Sequence, residues 1–218
     1  EPTDHLRALA PDLAIVVAYG HLIPGNMLRL PKHGFVNLHA SLLPKFRGAA
    51  PVPHAILSGD AKTGVTVFRL NERFDEGDLL IQEETPILAT DTSGSVLARL
   101  SPLGAELVLG VAGQFAAGWT HPVPQVETQA SRAPKFRKED GRIDWTRTAA
   151  EIDRRVRAFQ PWPLAFTFFP GGKEPTRIVV LQAEASSRWT ADDPPGRLVA
   201  ADAKDGIVIR CGDGAVKL

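Results

Sequence analysis

A single cysteine, Cys211, among 218 residues excludes an intrachain disulfide. A lone thiol accords with a reducing compartment. With no signal peptide legible either, the expectation is a cytoplasmic protein. The six histidines are scattered without ligand spacing and no cysteine cluster exists to join them, so no metal site is expected. No apolar run in the sequence reaches the length of a bilayer span, and no membrane association is expected. Net charge is absent as well: 25 Lys and Arg balance 25 Asp and Glu, so bulk charge points to no partner. The chain shows no internal repeat and no low-complexity stretch. Nothing in it marks a dimer surface, which leaves a monomer as the expectation.

What is present is an ordinary globular composition, long enough for one large domain or two small ones. The charge is unevenly placed, with a net of −3 over residues 1–120 and +3 over the remainder. Ser131 to Arg157 carries nine basic against five acidic residues. Such a region attracts phosphate, although a solvated linker and helix face would have the same composition.

The first half alternates helix and strand signals. Residues 4–11 read as the end of a helix. Leu13 to Tyr19 is a continuous apolar run, suited to a strand buried on both faces of a parallel sheet. Pro24 to Leu30 is a short helix candidate, Phe35 to His39 a short strand, and Val52 to Leu57 another short helix. Gly64 to Leu70 and Leu79 to Ile87 alternate as strands, separated by the acidic turn Asp75-Glu-Gly-Asp78. Thr92 or Ser93 is placed to cap a long helix ending near Ala117, which Pro102 should kink or split. This order predicts an α/β domain over residues 1–120 with a mostly parallel sheet. Residues 121–134, rich in Pro, Thr and Gln, read as a linker.

Residues 135–218 read as a second unit. Thr146 to Phe159 is an amphipathic helix with Ile152, Val156 and Phe159 on one stripe. Strand-like runs follow at Ala165–Phe169, Thr176–Ala185, Gly196–Ala200 and Gly206–Arg210. Short strands parted by turn residues predict a small β-barrel. Trp145, Phe159 and Trp162 are expected to pack a helix onto it rather than to stack on bases.

Asn37 and His39 are two apart on one strand and so share a face. They lie at its C-terminal end, where open α/β sheets place their sites. An amide and an imidazole aimed at one point suit a carbonyl oxygen that turns negative during acyl transfer. A carboxylate from Asp75 or Asp78 beside the imidazole would orient it and favour its charged form. Spacing alone favours satisfied turn residues for Asn37 and His39, and leaves a plain turn open for Asp75 and Asp78.

The run Asn37-Leu-His-Ala-Ser-Leu-Leu-Pro-Lys-Phe-Arg-Gly-Ala-Ala-Pro51, then Thr63-Gly-Val-Thr66, then Asp75-Glu-Gly-Asp78, resembles the 10-formyltetrahydrofolate-dependent formyltransferases. Three motifs occur in order with family-like spacing. The resemblance implies a partial Rossmann-like domain followed by an OB-like β-barrel, and catalysis by Asn37, His39 and Asp75. It places the folate and transfer site along Ser41, Leu42, Leu43 and Pro44, with Asp78 nearby. The cosubstrate would be 10-formyltetrahydrofolate, with no metal.

Ala133 to Trp145 and Arg157 to Pro163 resemble the members of that family that act on methionyl-tRNA. They imply initiator methionyl-tRNA as partner, with Lys135, Arg137, Lys138 and Arg142 facing RNA. A nucleotide-linked amino sugar as acceptor, hydrolysis of the formyl donor, and a noncatalytic fragment are the alternatives. The resemblance also implies further βα units before Glu1 and a continuation of the barrel after Leu218. Phe74 and Pro102 depart from the family pattern.

Overall fold

The apolar run at Leu13–Tyr19 forms a strand only over Ala14–Val17 (β1), after a first helix at Pro2–Leu9 (α1). In the computed structural model, which describes residues 2–170, 174–189, 192–202 and 206–218, the chain divides into two compact units. The first comprises residues 2–55, 60–87 and 95–135, and the second residues 56–59, 88–94 and the described part of 136–218.

A short helix at Gly25–Leu28 (α2) follows β1. Then come the strand Phe35–His39 (β2), the helix Pro51–Ser58 (α3), and the strands Lys62–Arg69 (β3) and Leu79–Pro86 (β4). The sheet order is β1-β2-β3-β4. Only β1 and β2 run parallel; β3 is antiparallel to both β2 and β4. The expectation of a mostly parallel sheet is therefore corrected to a mixed one. The cause lies in the connections. His39, the last residue of β2, pairs with Thr66 while Val36 near its start pairs with Arg69, the last residue of β3, so the chain leaves and re-enters the sheet at the same end. The acidic turn then links β3 to β4 as a hairpin, and a hairpin can join only antiparallel strands. β1 also differs from its expected burial on both faces. It is the last strand of the sheet, with Ile15 46% and Val17 58% exposed.

The long helix Ser93–Ala116 (α4) runs through Pro102 as one element, so of the expected kink or split the split does not occur. Pro102 is exposed, so the carbonyl it leaves unpaired one turn back can be met by water. One face of α4 supplies Val111 and Phe115, with Leu107 and Val108, to a core shared with Val36 and Val67. By length and composition α4 alone among the described helices would suffice to cross a membrane, against the expectation that no apolar run reaches that length. Because Val36 and Leu38 of β2 point toward this core, Asn37 and His39 point to the other face of the sheet.

Thr148 caps the helix Ala149–Ala158 (α5), its hydroxyl accepting from the Glu151 N–H while the Glu151 carboxylate accepts from the Thr148 N–H. The stripe read from the sequence is the buried one: Ile152, Val156 and Phe159 are each at most 1% exposed. After α5 come Ala165–Phe169 (β5), Thr176–Val180 (β6), Glu184–Ser186 (β7), Leu198–Asp202 (β8), Gly206–Arg210 (β9) and Ala215–Lys217 (β10). The expected single run at Thr176–Ala185 is two strands in different sheets. The described strands form an antiparallel sheet ordered β7-β10-β9-β8 and a two-stranded sheet β5-β6. Their core joins Ile143, Ile152, Val156, Val180, Cys211 and Val216. Phe159 packs edge-on against Phe136, and the Trp145 indole N–H donates to Thr167 Oγ1 at 3.0 Å.

Candidate active site

His39 is 6% exposed and ends β2, where the chain turns into the loop over residues 40–50. Its Nε2 lies 2.9 Å from the carbonyl oxygen of Phe46. A carbonyl can only accept, so Nε2 carries the proton, and in the neutral ring Nδ1 is the bare nitrogen. Nδ1 faces Asp75 Oδ2 at 3.9 Å, and Asp75 is 7% exposed. The ring meets Phe68 edge-on at 6.5 Å. The imidazole is thus held by a carbonyl on one side and faced, beyond hydrogen-bond reach, by a carboxylate on the other.

Asp75 sits at φ +57°, in the left-handed region. Its Oδ2 also accepts the N–H of Gly48 at 2.8 Å. Gly48 has φ +125°, and a Cβ there would come 2.6 Å from the Ala133 carbonyl oxygen, so only glycine brings this N–H to the carboxylate. Asn37, half-buried, lies on the same face of β2 as His39 and pairs across the sheet with Phe68. Asn37, His39 and Asp75 therefore lie within one unit, with the last two in direct opposition.

The loop of Ser41 to Pro44 is pinned rather than loose. Thr66, with no exposed surface, donates its hydroxyl to Ser41 O at 2.6 Å and accepts from Leu43 N–H at 3.1 Å. Gln82 Nε2 donates to both Leu43 O and Thr66 Oγ1 at 2.8 Å. Ser41 Oγ donates to Lys45 O at 2.6 Å. Ser41, Leu43 and Pro44 are buried and Leu42 half-buried. Asp78, by contrast, is exposed, and its backbone carbonyl accepts from Arg69 N–H at 2.9 Å. A groove of about 590 Å³ lies elsewhere in this unit, lined by Gly25, Leu28, Arg29 and residues 70–73, and includes none of the cluster.

Arg47, placed next to the site by the sequence, is 4% exposed and turned toward residues 125–127. It donates to Gln125 Oε1 through Nε and Nη2 at 3.1 and 2.9 Å, and to Glu127 through Nη1 and Nη2 at 3.1 and 2.9 Å. Its guanidinium holds the Glu127 carboxyl below the usual range. The segment read as a linker therefore lies along the first unit. Phe46 N–H donates to Ser131 Oγ at 2.9 Å, and Val123 bridges to Leu79. Gln82, Gln125 and Ser131 were not singled out by the sequence, and Thr66 entered only as the end of a motif, with no role given to it. Their partners lie 16 to 85 residues away, and no local signal marks them.

Lys135, in the first unit, is exposed. In the second unit Arg137, Lys138 and Arg142 are also exposed, with the Arg142 guanidinium 5.6 Å from the Phe168 ring centroid. Among the described residues no cluster of three or more His, Cys, Asp or Glu is arranged to hold a metal ion.

An amide and a clamped imidazole at the end of a central strand, opposed by a buried carboxylate, are the groups an acyl-transfer site needs. The chain belongs to the formyl transferase family: the formyl transferase domain matches residues 1–111 and the formyl transferase C-terminal domain residues 135–218. Over all 218 residues it is 42% identical to the methionyl-tRNA formyltransferases of Marinobacter nauticus and Pseudomonas entomophila, in each case covering 68% of the relative. The chain thus spans about two thirds of the length of those proteins. Among solved structures, a variant of HypX from Aquifex aeolicus matches 99% of this chain and 38% of its own with a TM-score of 0.74 at 25% identity. HypX in complex with tetrahydrofolic acid matches 99% and 37% with a TM-score of 0.73 at 24% identity, a likeness of fold. So is that to WlaRD, a sugar 3N-formyl transferase, which matches 97% and 74% with a TM-score of 0.73 at 18% identity.

Proposed function

We propose that the protein transfers the formyl group of 10-formyltetrahydrofolate to the α-amino group of initiator methionyl-tRNA, in the cytoplasm and as a monomer. The observation that carries the choice of acceptor is the 42% identity over the whole chain, both units included, to proteins named for that reaction. The chemistry rests on Asn37, His39 and Asp75. The amine nitrogen bonds to the formyl carbon, the bond from that carbon to N10 of the folate breaks, and one proton passes from the amine to N10.

Asn37 offers amide N–H donors to the formyl oxygen as it turns negative. His39 has its Nε2 proton committed to the Phe46 carbonyl. It therefore acts through Nδ1, accepting the amine proton there, presenting N–H to the developing charge and then releasing that proton to the departing N10. Asp75 stabilises the imidazolium so formed, across the 3.9 Å that separates them. No covalent intermediate with the protein is required. Residues 41–44, pinned by Thr66 and Gln82, form one wall of the folate site, with Asp78 at its edge. The rest of the rate gain comes from holding amine and formyl group in contact. Lys135, Arg137, Lys138 and Arg142 attract the RNA backbone, and the two sheets of the second unit belong to an OB-like barrel that presents three of them.

The test is a transfer assay on the intact protein with labelled 10-formyltetrahydrofolate and charged initiator tRNA, beside uncharged tRNA and a nucleotide-linked amino sugar. Label on methionyl-tRNA alone supports the proposal. Label on the sugar, or release of free formate alone, overturns the choice of acceptor.

A further inference from the structure

The side-chain amide of Gln125 is saturated, and it joins buried Arg47 to the turn that carries Asp75. Its Nε2 donates to the carbonyl oxygens of Asp75 and Gly77 at 2.9 and 2.8 Å. Its Oε1 accepts the two N–H groups of Arg47. The orientation of the amide is unambiguous, because a reversed amide would set donors against guanidinium donors and an oxygen against two carbonyls. Arg47 cannot drift, being buried and tied by its backbone to the same segment: its N–H donates to Ser131 O at 2.8 Å and its carbonyl accepts from Ala133 N–H at 2.7 Å. Asp75 meanwhile holds a left-handed conformation, which aspartate tolerates better than most residues with a Cβ and which contacts with its backbone help to keep. The two bonds from Gln125 hold the backbone that leaves Asp75, at its own carbonyl and at that of Gly77.

We propose that Gln125 is a positioning residue for formyl transfer: anchored by Arg47, it holds the Asp75 turn so that the carboxylate faces His39. The inference rests on the catalytic role given above to His39 and Asp75. The other contact of His39 leads to the same segment, because Phe46, whose carbonyl receives the Nε2 proton, is fixed through its own N–H by Ser131. Residues 125–131 thus set both partners of the imidazole, and a small shift there changes the distance on which proton transfer depends.

Gln125→Glu tests this in the intact protein. It keeps the size of the side chain and the pairing with Arg47, but it turns carboxylate oxygens toward two carbonyls and pushes the turn away. The positioning role predicts kcat for methionyl-tRNA formylation lower by about 10²-fold, KM for both substrates within about threefold, and a displaced pH–rate profile. Gln125→Asn keeps the amide but shortens its reach by a methylene, and serves as the second variant should the first not fold; it should show the same split. Unchanged kcat per folded molecule with a superimposable pH–rate profile in a folded variant overturns the inference while leaving the function intact. A wild-type protein that does not formylate methionyl-tRNA but formylates another acceptor overturns only the acceptor, since the same split is then expected with that acceptor.

Discussion

His39 and Asp75 face each other at 3.9 Å, farther than a hydrogen bond reaches, with both side chains less than a tenth exposed. The carboxylate is instead bonded to the Gly48 N–H, so its position does not depend on the imidazole. A charge placed near the ring without being tied to it can respond when Nδ1 gains a proton.

Asp75→Asn removes that charge and keeps the shape. Asparagine tolerates the left-handed conformation Asp75 adopts, and its oxygen still accepts from Gly48. Transfer should fall by roughly 10²-fold or more, with the melting temperature nearly unchanged. Near-normal turnover would remove Asp75 from the mechanism.

Asn37→Ala deletes a donor that faces away from the core under α4. The expected loss is on the order of 10²–10³ in kcat, with stability changed by about 1 kcal/mol or less. A loss confined to KM would make Asn37 a binding group rather than a stabiliser of charge.

Thr66→Val keeps volume while deleting the hydroxyl that joins Ser41, Leu43 and Gln82. Three groups then lose a buried partner, at about 1–3 kcal/mol of stability. Because residues 41–44 wall the proposed folate site, KM for the formyl donor should rise more than kcat falls. Denaturant titration and steady-state kinetics on one preparation separate the two effects.

Gly77→Ala should not fold normally. A Cβ there would overlap the carbonyl oxygen of Arg69, on the backbone of a central strand that cannot yield cheaply. A loss of about 2 kcal/mol or more is expected, read from the denaturant midpoint. A wild-type midpoint would mean the turn has more freedom than its contacts allow.

Neutralising Lys135, Arg137 and Lys138 together should lower the slope of log affinity for tRNA against log salt by about two to three, roughly one per lost phosphate contact. Filter binding across a salt series measures it. An unchanged slope would place the RNA elsewhere.

The sequence made legible what repeats at short range. The period of two put Asn37 and His39 on one face, and the 3.6-residue period gave the buried stripe of α5. The tether on His39 was hidden, because the Phe46 carbonyl belongs to a backbone that no residue type announces. Gln125 looked like linker composition, since its meaning comes from Asp75, fifty residues earlier. The direction of β3 was misjudged because strand–helix–strand suggests a parallel crossover, and only the length and path of the connection decide otherwise. Pro102 was expected to interrupt a helix that it leaves whole, since its exposed side of α4 lets solvent take up the orphaned carbonyl.

Cys211 closes on a practical consequence. The lone thiol has no exposed surface, belongs to the core around α5, and is held above its usual ionisation range by burial. A thiol-reactive dye would therefore label the protein only as fast as the second unit opens. One sulfur atom thus serves as an internal clock for that opening, readable by mass without any engineered probe.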